Sequence, residues 1–197
     1  MEERLIFSGF GGQGLLTAGK LLAACAMAEG RHVTFFPSYG AEVRGGTAHC
    51  HVVIGDGPIA SPMVEEATAL LIMNTPSVAR FLPRLVRGGL LVLNSSMAPS
   101  PEESDGIELL GIRATKLATD IGSPQVANMM MLAALNEVKR LVKPERLMQV
   151  LAESLTGQKE RFIPLNEKAM EAGRKYARDW LRKHKGHQRT GGREKSS

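Results

Sequence analysis

The feature that most constrains this chain is its opening, where an apolar run is followed by closely spaced glycines and then by a helical pattern. Leu5–Phe7 predicts a strand, residues 9–14 (GFGGQG) have the spacing G-x-G-x-x-G, and residues 15–27 have apolar side chains at helical spacing. His32–Phe36, closed by Pro37, predicts a second strand. Strand, loop, helix and strand pack naturally as a right-handed crossover between parallel strands.

The rest of the chain continues this alternation. Apolar runs predict strands at Ala69–Met73, Leu90–Leu93 and Ile107–Ile112. Helical patterns cover residues 75–85, 114–120, 124–138, 145–155 and 166–184. The predicted fold is α/β: a three-layer α/β/α sandwich with a mostly parallel (mixed) sheet, in a single domain with C-terminal helices. We assign residues 1–185 to this domain and residues 186–197 to a disordered basic tail.

One further run, Thr47–Ile54, alternates in polarity. It predicts a strand with Ala48, Cys50, Val52 and Ile54 on one face and a second face, Thr47, His49, His51 and Val53, that is open to polar surroundings. The turn sequence Gly55–Pro58 follows, and the chain from Ile59 onward is expected to pair back antiparallel, which makes the sheet mixed.

The net charge of +5 is confined to the end of the chain. Six basic residues and one acidic residue between Arg182 and Lys195 account for all of it, so the remainder is neutral. We therefore interpret the basic end as a solvated segment rather than as a nucleic-acid-binding surface. The chain has no apolar run long enough to cross a membrane and no recognisable secretory signal, so we expect a cytoplasmic protein that binds neither nucleic acid nor membrane.

Three interpretations of the glycine loop stay open on chemical grounds. Glycines before a helix let a ligand's phosphate approach the backbone N–H groups at the positive end of that helix. A dinucleotide site also needs an acidic residue at the end of the second strand, where this chain has Pro37 and Ser38. The glycines could instead serve only tight strand–helix packing. Asn74 and Asn94 each follow a predicted strand, so they are expected to lie with this loop at one edge of the sheet.

The loop after the second strand, residues 38–46 (SYGAEVRGG), carries Glu42 and Arg44 between glycines. Arg44 could bind a carboxylate or phosphate through two hydrogen bonds, or pair with Glu42 in a surface turn.

Metal-binding residues are few. The chain has two cysteines, Cys25 and Cys50, whereas an ordinary iron–sulfur cluster takes four thiolates. His49 and His51 share a strand face without a third ligand nearby in the sequence, which favours a polar surface or interface over a metal site. We therefore predict no metal site on this chain.

Three segments together resemble one known family. They are GFGGQGLLTAGKLLA near the start, PSYGAEVRGGTAHCHVVI after the second strand and SPQVANMMMLAAL late in the chain. Their order and spacing, from about Arg4 to Gly173, resemble the gamma subunit of the 2-oxoacid:ferredoxin oxidoreductases, and most of all the 2-oxoglutarate type.

The resemblance implies a function that this chain performs only with others. Such enzymes decarboxylate a 2-oxoacid oxidatively with coenzyme A, giving acyl-CoA, CO2 and electrons that pass to ferredoxin. Thiamine diphosphate and iron–sulfur clusters are expected in the thiamine-binding and iron–sulfur partner subunits, with CoA as substrate at or near this chain. The chain is expected to be inactive alone.

The hypothesis for the site is that the two loops contact CoA or close over the cofactor pocket. The candidate cofactor-binding residues are Gly9, Gly11, Gly12, Gln13, Gly14, Arg44, Gly45 and Gly46, and no catalytic residue is assigned. Asn128 either hydrogen-bonds across an interface or occupies a core helix position. The alternatives are a pyruvate or branched-chain type of the same family, a stand-alone NAD(P)-binding reductase, and a scaffold subunit whose loops touch no CoA.

Overall fold

A six-stranded sheet organises the computed structural model, which describes residues 1–39, 46–102 and 106–190. Along these residues the strands and helices are β1 (Glu2–Phe10), α1 (Leu15–Ala28), β2 (His32–Tyr39), β3 (Thr47–Gly55), β4 (Ala67–Ile72), α2 (Thr75–Phe81), β5 (Leu85–Asn94), β6 (Glu108–Ile112), α3 (Ala114–Ile121), α4 (Ala127–Lys139), α5 (Pro144–Ser154) and α6 (Ile163–Thr190). Short 3-10 turns occupy Leu82–Arg84, Pro124–Val126 and Gly157–Phe162.

The sheet has the strand order β2-β3-β1-β4-β5-β6. The pairs β1–β4, β4–β5 and β5–β6 are parallel, while β3 is antiparallel to both β1 and β2. The predicted mixed, mostly parallel α/β architecture is therefore confirmed. The expected pairing from Ile59 onward is wrong, because the antiparallel strand is β3 itself. The β1–α1–β2 crossover leaves a gap one strand wide, and β3 fills it.

The two faces of the sheet are covered by different elements. Leu5 and Phe7 of β1 face the larger core, which they form with the apolar sides of α1 and of α3–α6. Ile6 faces the smaller core, which it shares with Phe81 of α2 and with Val64. Because side chains alternate along a strand, a central strand with both faces covered is apolar almost throughout.

Burial of β3 differs from the expectation. The face with His49 and His51 was expected to be open to polar surroundings, but these side chains are only 7% and 1% exposed. Phe81 of α2 covers His49, with ring centroids 5.0 Å apart. The N–H of Val64, in the irregular segment before β4, donates to His51 Nδ1 at 2.9 Å. The alternating polarity of β3 could not show that residues distant in the sequence, Phe81 and Val64, cover this face.

The last helix crosses α4 at close range. Gly173 lies against the Met130 carbonyl, where a Cβ atom would overlap the backbone. The helix continues to Thr190, past the predicted domain boundary at residue 185, and residues 191–197 lie outside the described part of the chain. The disordered tail therefore stays a prediction. No helix in the described part of the chain is long and apolar enough to span a membrane.

Candidate functional site

The carboxyl ends of the parallel strands lie along one edge of the sheet, hereafter the carboxyl-end edge. The glycine loop follows β1 there, and β3 begins beside it, since Phe10 pairs with Thr47. The Gly11 N–H donates to the Gly46 carbonyl oxygen at 3.0 Å, which joins the glycine loop to the residue before β3. Glu42, Arg44 and Gly45 lie outside the described residues, so their predicted roles stay predictions.

Gln13 closes the glycine loop on itself. Its side-chain Oε1 accepts a hydrogen bond from the Phe10 N–H at 2.7 Å, and its backbone N–H donates to the Phe10 carbonyl at 3.2 Å. A side chain that satisfies a backbone donor in this way stabilises one loop conformation. The observed role of the Gln13 side chain is therefore to hold the loop.

Asn128 of α4 anchors the other end of the loop. Its Nδ2 donates to the Gly14 carbonyl at 2.9 Å, and the side chain is 6% exposed. Gly14 is the N-cap of α1 with φ of 73°, and a Cβ atom there would overlap Asn128 Nδ2. Neither sequence interpretation of Asn128 named this partner, because the two residues are far apart in the chain.

The glycines of the loop have different surroundings. Gly9 is packed, since a Cβ atom would lie 2.9 Å from Met73 Cβ, so this glycine serves close packing. Gly11 and Gly12 are exposed, and a Cβ atom on Gly12 would meet nothing within 4 Å. The loop therefore presents open backbone at Gly11–Gly12, directly before the amino terminus of α1, where a negatively charged group is electrostatically favoured.

Asn74 and Asn94 lie on the same edge, but they organise the local backbone. Asn74 Oδ1 accepts from the Ser77 N–H at 3.0 Å and so caps α2. Asn94 Nδ2 donates to Thr115 Oγ1 at 2.8 Å, while its Oδ1 accepts from the Ser96 N–H at 3.2 Å. These bonds account for Asn94 and for the oxygen of Asn74, whereas the buried Nδ2 of Asn74 has no hydrogen-bond partner among the described residues.

The strand order bears on the dinucleotide interpretation. In a dinucleotide fold the second strand neighbours the first, so that its terminal carboxylate reaches the ribose. Here β3 separates β1 from β2, which places the end of β2 two strand spacings, about 10 Å, from β1. Both this displacement and the lack of a carboxylate at Pro37–Ser38 disfavour NAD binding.

A polar cluster beneath α2 is the feature that sequence reasoning missed. Ser8 Oγ donates to Ser77 Oγ at 2.8 Å beside His49 and His51, whose ring centroids are 5.6 Å apart. Burial, reinforced by Arg80, by His51 and by Arg84, lowers the pKa of His49 to about 4. The pKa of His51 is lowered as well, again chiefly by burial. Both rings are therefore neutral at pH 7. The available signal was Ser8, a lone hydroxyl in an apolar strand.

Both cysteines, Cys25 and Cys50, are free and buried. Burial raises the pKa of the Cys50 thiol to about 12, and Cys50 Sγ lies 3.8 Å from the Leu15 carbonyl oxygen beneath α1. Within the ranges that the structure describes, no group of three or more His, Cys, Asp or Glu side chains could hold a metal ion.

Most of this chain matches a known protein family. The family model described as pyruvate ferredoxin/flavodoxin oxidoreductase matches residues 4–176. Ketoisovalerate oxidoreductase subunit VorA of Methanothermobacter thermautotrophicus is 33% identical over 90% of this chain and 37% of its own length. The 2-oxoglutarate synthase subunit KorC of the same organism is 31% identical over 88% of this chain and 94% of its own length. The chain thus spans little more than a third of the first relative and nearly all of the second.

Solved structures agree with the fold. The gamma subunit of a keto/oxoacid ferredoxin oxidoreductase from Geobacter sulfurreducens has a TM-score of 0.76 and 28% identity, over 89% of this chain and 98% of that chain. The 2-oxoglutarate:ferredoxin oxidoreductase from Magnetococcus marinus, with 2-oxoglutarate, coenzyme A and succinyl-CoA bound, has a TM-score of 0.81 and 22% identity, over 90% of this chain and 31% of that chain. The second likeness concerns the fold alone.

Proposed function

The chain belongs to the pyruvate ferredoxin/flavodoxin oxidoreductase family, and from this membership we propose that it is the gamma subunit of a multisubunit cytoplasmic 2-oxoacid:ferredoxin oxidoreductase. The proposed reaction is the CoA-dependent oxidative decarboxylation of a 2-oxoacid to acyl-CoA and CO2, with electrons passed to ferredoxin. Because the chain spans 37% of VorA, further polypeptide must supply the rest of the catalytic machinery. The chain alone is expected to be inactive.

The observation that carries the proposal is the exposed, rigidly held glycine loop at the carboxyl-end edge, within the region that matches the family. Gln13 and Asn128 hold the loop from within the chain, so Gly11 and Gly12 can meet a ligand without paying for loop ordering. The amino terminus of α1 behind them favours phosphate groups. CoA carries such groups, and the fold neighbour from Magnetococcus marinus is a complex with CoA and succinyl-CoA.

The loops supply position and electrostatics. The exposed Gly11 and Gly12 let the CoA phosphates approach the amino terminus of α1, which Gly14 caps, while the Gly11 N–H itself is used by Gly46. In this proposal Arg44 and Gly45 complete the contact from the second loop. Gly9 packs beneath this surface rather than facing the ligand. Thiamine diphosphate, in a partner subunit, supplies the carbanion chemistry when bound. A second partner subunit holds the iron–sulfur clusters, since this chain has two cysteines.

The proposed 2-oxoacid is 2-oxoglutarate. Its support is the relative KorC, which this chain matches over 94% of that subunit's length. The branched-chain alternative is favoured by VorA, which is 33% identical over 90% of this chain. The two relatives differ little in identity, so the choice rests on the assay below.

A first experiment identifies the complex and its substrate. The tagged chain is purified anaerobically from its native cell, and the proteins that accompany it are identified by mass spectrometry. Stoichiometric thiamine-binding and iron–sulfur chains, with reduction of ferredoxin that depends on 2-oxoglutarate and CoA, are expected. Pyruvate, ketoisovalerate and indolepyruvate are assayed in parallel. A chain that purifies alone and binds NAD(P) would favour the reductase alternative.

A second experiment tests the loop within the assembled enzyme. Gly11→Val adds bulk where the nearest atom to a new Cβ is the Gly46 carbonyl oxygen, 3.6 Å away, so the fold tolerates it. We expect a raised KM for CoA and slower acyl-CoA formation in a complex that still assembles. Gly57→Val, at the opposite end of the sheet with nothing within 4 Å, is the matched control. An unchanged KM for CoA in Gly11→Val would leave the chain as a scaffold subunit.

A further inference from the structure

The two edge strands of the sheet, β2 and β6, differ in whether their outward backbone groups are hydrogen-bonded within the described part of the chain. At β6, the Tyr176 hydroxyl donates to the Gly111 carbonyl at 2.9 Å and Trp180 Nε1 donates to the Leu109 carbonyl at 2.9 Å. Side chains of α6 thus satisfy the outward carbonyls of that edge. Unpaired backbone groups at a sheet edge are a template for another strand, and proteins usually cover them in this way.

The β2 edge has outward backbone groups, and the register shows which they are. The Ser8 carbonyl accepts from the Met73 N–H, so the even-numbered residues of β1 face β4. Antiparallel partners alternate between bonded and non-bonded pairs. Following the register across β3, the even-numbered residues of β2 bond to β3, and the N–H and C=O groups of Val33 and Phe35 point outward. Pro37, also outward, has only a carbonyl to offer.

The side chains along β2 are incompletely covered on both faces. None of the residues from His32 to Ser38 is buried, and Phe36 is 41% exposed. On the α1 side a groove of about 560 Å³ runs between β2, α1 and α5, with Leu16, Leu21, Phe35, Val150 and Leu155 on its walls. An apolar groove beside an unpaired strand is the surface that β-strand addition uses.

The positive charges that line the groove favour an occupant with negatively charged side chains. Lys20 and Lys159 are the charged residues among those that line it, and neither makes an ion pair within the described ranges. A second copy of this chain, paired through β2 about a two-fold axis, would bring lysines towards lysines without a carboxylate in either groove. A segment with apolar side chains and carboxylates complements both the walls and the lysines.

We propose that β2 and this groove dock an extended segment of a different chain, which adds a strand along Val33 and Phe35 and places carboxylates against Lys20 and Lys159. The proposal rests on the proposed function, because the segment belongs to a partner subunit of the oxidoreductase. In the relative VorA the matched region is 37% of a longer chain, so there such a domain is joined to further polypeptide. The surface is separate from the glycine loop, so docking and CoA binding can be perturbed independently.

Hydrogen exchange compares the purified complex with the isolated full-length chain. We expect slower exchange for residues 32–36 in the complex and unchanged exchange for β6, whose edge α6 already covers. Equal exchange of residues 32–36 in both samples would overturn the docking proposal while leaving the proposed function intact. A chain that purifies without partner subunits would instead count against the proposed function, and against docking with it.

Charge reversal and cross-linking identify the partner. Lys20→Glu with Lys159→Glu is expected to weaken association with the partner subunits at least about tenfold, without changing thermal unfolding of the chain. Lys175→Glu, on the exposed side of α6, is the matched control. Zero-length carbodiimide cross-linking of the complex should join Lys20 or Lys159 to a carboxylate of a partner subunit. A cross-link between two copies of this chain, or unchanged affinity of the double variant, would overturn the assignment.

Discussion

Replacing Gly14 with alanine is expected to lower the free energy of unfolding by about 2–3 kcal/mol, from two separable costs. The φ of 73° at this position is left-handed and costs an L-residue about 1–2 kcal/mol. The new Cβ would overlap Asn128 Nδ2 and displace its 2.9 Å hydrogen bond to the Gly14 carbonyl, which is worth about 1 kcal/mol.

Asn128→Ala removes the same hydrogen bond from the other side. The Gly14 carbonyl keeps the Ala18 N–H as a donor at 3.0 Å, so this variant is expected to cost only about 1 kcal/mol. In the double variant the overlap is gone and the bond is lost once. Its expected cost is therefore about the same as that of Gly14→Ala alone, which makes the two substitutions non-additive by about 1 kcal/mol.

Equilibrium urea unfolding of the full-length chain, followed by circular dichroism, measures all the variants. Gly12→Ala is the control, since Gly12 has φ of 90° but nothing within 4 Å of a Cβ atom. It should cost the strain alone and add to Asn128→Ala. If Gly14→Ala and Asn128→Ala were additive within about 0.3 kcal/mol, the proposed anchoring of the loop by Asn128 would be refuted.

Three further outcomes are expected from the described contacts. His49 has a pKa of about 4 in the folded chain against an ordinary 6.5, so its contribution to the free energy of unfolding is complete above pH 6.5 and falls by up to about 3 kcal/mol as the pH drops towards 4. His49→Gln should flatten this pH dependence in denaturant titrations. An unchanged pH dependence in the variant would contradict the assignment. Gly173→Ala pushes a methyl group against the Met130 carbonyl and should cost about 3 kcal/mol in thermal unfolding, whereas a change below about 1 kcal/mol would show that α6 can shift freely. Trp180→Phe loses the bond to the Leu109 carbonyl and should cost about 1 kcal/mol and speed amide exchange in β6; unaltered exchange would mean that α6 does not protect that edge.

Local sequence patterns predicted most of the strands and helices of the fold. The apolar run of β1, the glycines and α1 follow one another within a few residues, so their types and order are readable from spacing alone. The same holds for β4 before Asn74 and for β5 before Asn94. The position of β3 was not readable, because a strand's neighbours depend on pairing energies between segments far apart in the chain. The expected pairing from Ile59 failed for this reason.

The candidate site divides in the same way. Composition and spacing indicated that phosphate groups could approach the glycine loop, and Gln13 was among the candidate residues of that loop. Which glycines face solvent, and which one packs against Met73, was decided by the neighbouring strand. The buried state of His49 was decided by Phe81, whose helix is short and separated from β3 in the chain.

The amino-acid sequence by itself determined the class of fold and the family, because both depend on patterns of residues close together along the chain. Tertiary structure alone decided that Gly46 accepts from Gly11 and that Asn128 holds Gly14. It also decided that α6 covers β6, whereas no described residue covers the outer edge of β2. These are contacts between segments whose separation in sequence carries no information about their distance in space, and they form only when the hydrophobic faces of the sheet are buried together.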